Sequence, residues 1–478
     1  MTVVQGPSGG VASGDPRAAE SGLRVLADGG SSVDAALAMA VTQWVVNGPI
    51  CGPGGDLFVL HVDDGTSRVY SGWSRVPFGF PPDGPVDSHG PRSAVVPGAM
   101  SGVDAAWKAA GRVPWRRLFE DAIALADGHE VTPWMATSYA SVEAKGHLSA
   151  LRAVLDTDQA PTVGERVSCR RLKATLGVLA DDGADAFYRG SLAAAILSAS
   201  RADGAYLRAD DLDAMTGHAG PATTVALDDM TIAYPPPPSQ SGITADMLAA
   251  AGAEMAAESR SFANATAPVA MDQLIARCIV GVPGTATSIA TDGVSAAVVV
   301  HSLAGVQYGS GWVAGDTAIA LGNRVGTSLT TRPDLAAANP VPGSVLPHTL
   351  SAAWFDGGDR WLLIATPGGD RQVQWLAQAG QRFRRGEPLS AIVGGPRWFV
   401  CPEGDRFGVP GGIGKEWFLF AEPGIEWSED ADLASFAIKR VDNVGGGLQA
   451  VELEDGTWRL GSDPRSGGTA LAGGATDV

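Results

Sequence analysis

The strongest constraint on this chain is a change of texture at Gly284–Thr285. Beyond it, TSIATDGVSAAVVVHSL alternates small, polar and β-branched residues about Thr291-Asp292-Gly293, the pattern of a β-hairpin. Strand-like runs at Trp312 to Ile319, Leu350 to Phe355, Trp361 to Ile364 and Leu448 to Leu453 make the rest strand-rich, with a helix opening at Val373 to Gly380. Before Gly284 helical spacing dominates. Leu23, Val25, Leu26, Val33, Ala36, Leu37, Met39 and Ala40 predict two helices between Asp15 and Val46, broken at Gly29-Gly30. Leu118, Ile123, Leu125, Leu172, Leu176 and Leu179 predict more between Gly102 and about Gly190. CGPGGDLFVLHVDDG reads instead as a glycine loop feeding a buried strand and a hairpin closed by Asp63-Asp64-Gly65. Pro235 to Pro238 fix φ and remove four donors, which predicts an extended surface or cleft segment before a helix near Thr244. The small, polar tail SGGTALAGGATDV is expected to fray.

Composition narrows the function classes. A chain of 478 residues, 45% hydrophobic and 18% charged, is expected to be soluble and globular in two or three lobes. Its 52 acidic against 34 basic residues give a formal charge of −18, which repels nucleic acid and anionic lipid, so neither is expected as a partner. Cys51, Cys169, Cys278 and Cys401 form no CxxC pair, and the seven histidines form no HExxH, so no metal or cofactor is implied. The start MTVVQGPSGGVASGDP has no basic or apolar leader, and no run reaches the ~20 apolar residues of a membrane span. A cytoplasmic location is the expectation.

A series of motifs then adds what periodicity cannot. VASGDPRAAESGLRVLADGGSSVDAALAMAV, GPGGDLFVL, VVPGAMSGVDAAWKAAGRVPWRRLFEDAIALA, DAFYRG, YLRADDL, YPPPPSQSG, YGSGWVAGDTAIALGNR, TPGGDRQVQW and GSDPRSGGTA follow one another over almost the whole chain. In that order they resemble the gamma-glutamyltransferase family. The resemblance implies an α+β (α/β) fold, the four-layer αββα sandwich of N-terminal-nucleophile hydrolases. It also implies an inactive precursor, cut by its own threonine into a large part (1–284) and a small part (285–478) that stay together as one catalytic unit. The cleavage motif corresponds to Gly284-Thr285-Ala286-Thr287-Ser288-Ile289, with one residue missing between Thr287 and the Asp292-Gly293 turn.

The chemistry explains the cut. A threonine hydroxyl is a poor nucleophile, but an N-terminal threonine carries its own α-amine, whose pKa of about 8 suits a general base at neutral pH. The resemblance makes Thr285 that nucleophile and gives the backbone amides of Gly368 and Gly369 the developing oxyanion. It sets His348 and Thr349 where the family commonly has two serines binding the donor carboxylate. Elsewhere the pattern breaks. Trp73 replaces the arginine for the glutamyl α-carboxylate, with Arg75 two positions on. Leu303 replaces the threonine that bonds the nucleophile, Gly305 a nearby asparagine, and Thr327 the acid for the α-amino group. Each lost charge-assisted bond is worth about 1.5–3 kcal/mol. The expected activity is therefore amide hydrolysis or acyl transfer on a small molecule other than glutathione and less polar, with C–C bond hydrolysis as a variant. Two alternatives stay open: an unprocessed binding or scaffold protein, and a true glutathione hydrolase in which Arg75 and His348 have taken over recognition.

Overall fold

The computed structural model describes residues 2–6, 9–81, 87–252, 266–272, 284–305, 308–329, 340–402, 417–425, 436–473 and 476–477. Alternation along the strands builds the layers. On Thr285–Thr291, Ala286 and Ala290 face helices, whereas Ile289 faces a second sheet. On Ala296–Ser302, Ala297 and Val299 face the helices and Val298 and Val300 the other sheet. Both faces are buried.

The first sheet has seven antiparallel strands in the order Thr469–Ala472, Gly10–Ser13, Thr285–Thr291, Ala296–Ser302, Asp56–Asp63, Thr66–Gly72 and His218–Pro221. The second has eight, in the order Thr476–Asp477, Thr2–Gln5, Thr457–Ser462, Gln449–Glu454, Arg360–Ala365, Ala352–Asp356, Thr231–Tyr234 and Thr223–Ala226. Phe58, Leu60, Ile289, Val298, Leu363, Val451 and Leu460 fill the space between them. Outside the first sheet lie the helices Pro16–Ala27, Ser32–Val46 and Ala99–Ala110 with those that follow to residue 213. Ser32–Val46 is buried on every side, as its apolar composition requires, and starts from a capping box of Ser31 and Asp34. Outside the second sheet lie Gly242–Ala251, Arg371–Arg384 and Leu389–Gly394, joined to it through Leu248, Phe355, Ile364 and Leu376. The result is the αββα sandwich. Because residues on both sides of position 284 alternate within both sheets, the molecule does not divide into lobes.

Three local expectations change. Trp312 to Ile319 is not a strand: Gly315 and Ala318 take left-handed φ of 56° and 55° around a short 3₁₀ turn, which leaves only a bridge from Val313 to Ala320. The tail does not fray over Thr469–Ala472, which pairs with Gly10–Ser13 and buries Ala470 between the sheets. The proline run ends in a turn rather than an extended cleft wall, and carries Ser239 into a bridge with His348. Cys51, Cys169 and Cys401 are buried, while Cys278 lies outside the described residues. No helix among the described residues is long and apolar enough to cross a membrane.

Candidate active site

Thr285 opens a central strand of the first sheet, directly opposite Ser302. Gly284 before it has φ 148°, and a Cβ there would lie 2.4 Å from the carbonyl oxygen of Gly305. Only glycine fits that approach. The Ser302 hydroxyl donates to the Gly284 carbonyl. Its oxygen in turn accepts the Ala304 N–H at 2.7 Å, which leaves the hydroxyl proton for Gly284.

The Thr285 hydroxyl has its own partner. Gln372, in the first turn of Arg371–Arg384, accepts the Ser351 N–H on Oε1 at 2.9 Å and donates from Nε2 to Thr285 Oγ1 at 3.2 Å. The Ser351 amide thus decides which way the glutamine faces. The same helix presents Gly368 and Gly369 at its N-terminal end, with φ of 147° and 63°. A Cβ on Gly368 would lie 2.3 Å from the Trp375 ring, and one on Gly446 2.4 Å from it, so the indole is held between two glycines. Neither the Gly368 nor the Gly369 amide donates a hydrogen bond among the described residues. Asp370 beside them is buried, and burial pushes its carboxyl up to about 6 against the pull of Arg371.

Thr285, Gly284 and Gly368 share one cavity of about 660 Å³. Its walls include Trp134, Trp375, Phe399 and Phe420, with Lys145, Arg371 and Arg465 as the charged groups among the described residues. The other candidate residues are not on this wall. His348 is fully buried, its Nε2 3.2 Å from Asp56 and its ring 4.4 Å from that of Trp73. Asp56 also accepts the Ser74 N–H at 2.5 Å and pairs with Arg324 at 3.2 Å. Burial alone would raise the Asp56 carboxyl, but His348, Arg324 and the Ser74 amide hold it well below the usual range. Burial, followed by Arg324, lowers the pKa of His348, and Asp56 only partly offsets this. Thr349 is buried next to it. Arg75 donates to the Gly343 carbonyl at 3.3 Å, and Thr327 to that of Asn323 at 3.0 Å.

Sequence reasoning missed two residues here. Leu303 was expected to mark a lost polar partner, yet the register sets Ser302, one residue earlier, opposite Thr285. Leu303 itself is buried near Gly52, and Gly305 packs against Gly284. Gln372 lies within the TPGGDRQVQW motif but was not singled out there, because a glutamine on an amphipathic helix reads as surface.

A hydroxyl at the head of a central strand, between two sheets each backed by helices, defines the N-terminal-nucleophile-hydrolase fold. The cephalosporin acylase of Bacillus halodurans superposes with a TM-score of 0.81 over 99% of this chain and 97% of its own, at 22% identity. Residues 18–278, more than half of the chain, match the family model of gamma-glutamyltranspeptidase, and the chain belongs to that family. Glutathione hydrolase 3 of Arabidopsis thaliana is 31% identical over 50% of this chain, which spans only 39% of that relative's length. The oxamate amidohydrolase proenzyme of Klebsiella pneumoniae is 29% identical, covering 95% of this chain and 96% of that one.

Proposed function

We propose that the chain is an amidohydrolase or acyltransferase whose nucleophile is Thr285, freed by self-cleavage at Gly284–Thr285, and whose substrate is not glutathione. The observation that carries this reading is the double brace at the chain's cutting point: Ser302 on the Gly284 carbonyl, Gln372 on the Thr285 hydroxyl. In the scission, Thr285 Oγ attacks the Gly284 carbonyl carbon and the Ser302 hydroxyl stabilises the oxyanion. The C–N bond breaks, Gly284 passes to Oγ as an ester and the Thr285 nitrogen becomes an amine. Water then splits the ester, leaving a carboxylate at Gly284 and an N-terminal Thr285.

In turnover that amine takes the Oγ proton as Oγ attacks the substrate carbonyl, and it returns the proton to the leaving group. The Gly368 and Gly369 amides hold the tetrahedral oxyanion. Water or an acceptor amine then releases the acyl group, and C–C bond hydrolysis is a variant of the same acyl transfer. The interleaved sheets keep 1–284 and 285–478 together, and a relative named as a proenzyme supports processing from one chain.

The two alternatives have less support. Ser302 and Gln372 supply the polar partners whose absence favoured a scaffold. Arg75 and His348 are committed to Gly343 and Asp56, away from the cavity, which disfavours a glutamyl clamp. A denaturing gel with N-terminal sequencing tests the proposal. Wild-type protein should give two fragments, the smaller beginning at Thr285, and Thr285→Ala one uncut, inactive chain. Active protein with the 284–285 bond intact would sink it.

A further inference from the structure

We infer that the cavity beside Thr285 receives an aromatic, negatively charged portion of the substrate. The inference rests on the reading of Thr285 as nucleophile, since that is what makes the cavity a substrate site. Shape argues first. Phe399 and Phe420 stack with ring centroids 5.1 Å apart and planes 14° apart, while Trp375 is clasped between Gly368 and Gly446. Trp134 lines the same cavity with 48% of its surface exposed. Flat, rigid walls around about 660 Å³ suit a planar ring better than a flexible polar chain.

Charge argues second. The chain carries a net −18, yet no aspartate or glutamate among the described residues lines this cavity, and its three charged groups are all cations. They are not equivalent. Arg465 is neutralised by Glu422 at 2.5 Å and Asp463 at 3.0 Å. Arg371 lies with its guanidinium carbon 4.5 Å from the Phe399 ring centre, part of the aromatic wall. Lys145 has no carboxylate partner among the described residues, and partial burial lowers its pKa with nothing opposing. A cation drawn partly out of water without a counter-ion gains most from a ligand that brings one. An ammonium group, as at the amino end of a glutamyl donor, meets only like charge among the described residues here.

Titration calorimetry on the full-length protein tests this with three ligands of one shape: p-toluate, 4-methylbenzyl alcohol and 4-methylbenzylamine. The toluate is expected to bind at least tenfold tighter than the alcohol, and the amine weakest of the three. Lys145→Ala, at a side chain outside the buried core, should narrow the toluate-to-alcohol gap to about twofold. An alcohol that binds as tightly as the toluate, an amine that binds best, or a gap unmoved in Lys145→Ala overturns the inference. The denaturing gel on the same protein keeps the two proposals apart. A chain cut at 284–285 without a preference for toluate loses the cavity inference alone. An uncut chain that still prefers toluate loses the nucleophile and keeps the anion site.

Discussion

Two buried polar clusters stand side by side in this sandwich and are built in opposite ways. Thr285, Ser302 and Asp56 occupy one row across three adjacent strands, so Asp56 lies about 10 Å from the threonine, two strand spacings away. Around Asp56 the cluster is closed on a matched charge: Arg324, His348 and the Ser74 amide surround the carboxylate, and Trp73 packs against the imidazole. Around the Gly284–Thr285 link the partners are a neutral amide on Thr285 and a neutral hydroxyl on Gly284, and one side is open. Charge already matched within the protein is architecture. Under the proposed reading, chemistry would fall to the group whose partners orient it without neutralising it.

The largest break in this contrast should come from Asp56→Ala. It removes the buried carboxylate shared by Arg324, His348 and the Ser74 amide and should lower stability by about 3–5 kcal/mol in chemical denaturation at pH 7. Because the folded-state pKa is depressed, the carboxylate's contribution is full above about pH 4 and fades only as pH falls toward that lower value. A loss of under about 1 kcal/mol would mean the closed cluster is not structural.

Next comes Gly368→Ala, whose Cβ would meet Trp375 at 2.3 Å and displace an amide from the open site. Turnover of the best p-nitroanilide substrate should fall about 10²–10³-fold, with the chain still folded by circular dichroism. Wild-type turnover would remove these glycines from the oxyanion role.

Asp370→Asn sharpens the contrast, since Asp370 is a charge burdened by burial beside the open site. Its folded-state pKa is raised to about 6, so the stability it gives is present below pH 4 and lost as pH rises through 6. The asparagine variant should therefore gain on the order of 3 kcal/mol at pH 8 and nothing at pH 4, read from denaturant midpoints. The smallest effect is expected from Gln372→Leu, which removes one neutral hydrogen bond from Thr285 and should slow chain scission about tenfold in a gel time course. Scission at the wild-type rate would reduce the glutamine to packing.

The same contrast explains what the sequence could and could not tell. Local patterns held where residues close in sequence decide the structure: Gly29-Gly30 divides two helices, and Thr291-Asp292-Gly293 turns the hairpin that carries Thr285. The family motifs implied the layer order that the two sheets and their helices display. What failed depends on register and on distant contacts. A shift of one residue exchanges Leu303 for Ser302, and no one-dimensional pattern locates that gap. Gln372 is oriented by Ser351, which lies just before the strand Ala352–Asp356 and 21 residues away in sequence. The tail looked unstructured because its small residues carry little apolar signal, yet they suit the narrow space beside Gly10–Ser13.

That outer strand bears on what a cut would leave behind. Gly10–Ser13 lies between Thr469–Ala472 and Thr285–Thr291, so the strand behind the new amino terminus would be gripped by a ribbon from the other fragment on one side and by Ala296–Ser302 on the other. Scission would then release a chain end without loosening it. A freshly exposed amine, ordinarily the most wayward atom of a polypeptide, would begin its working life already aimed.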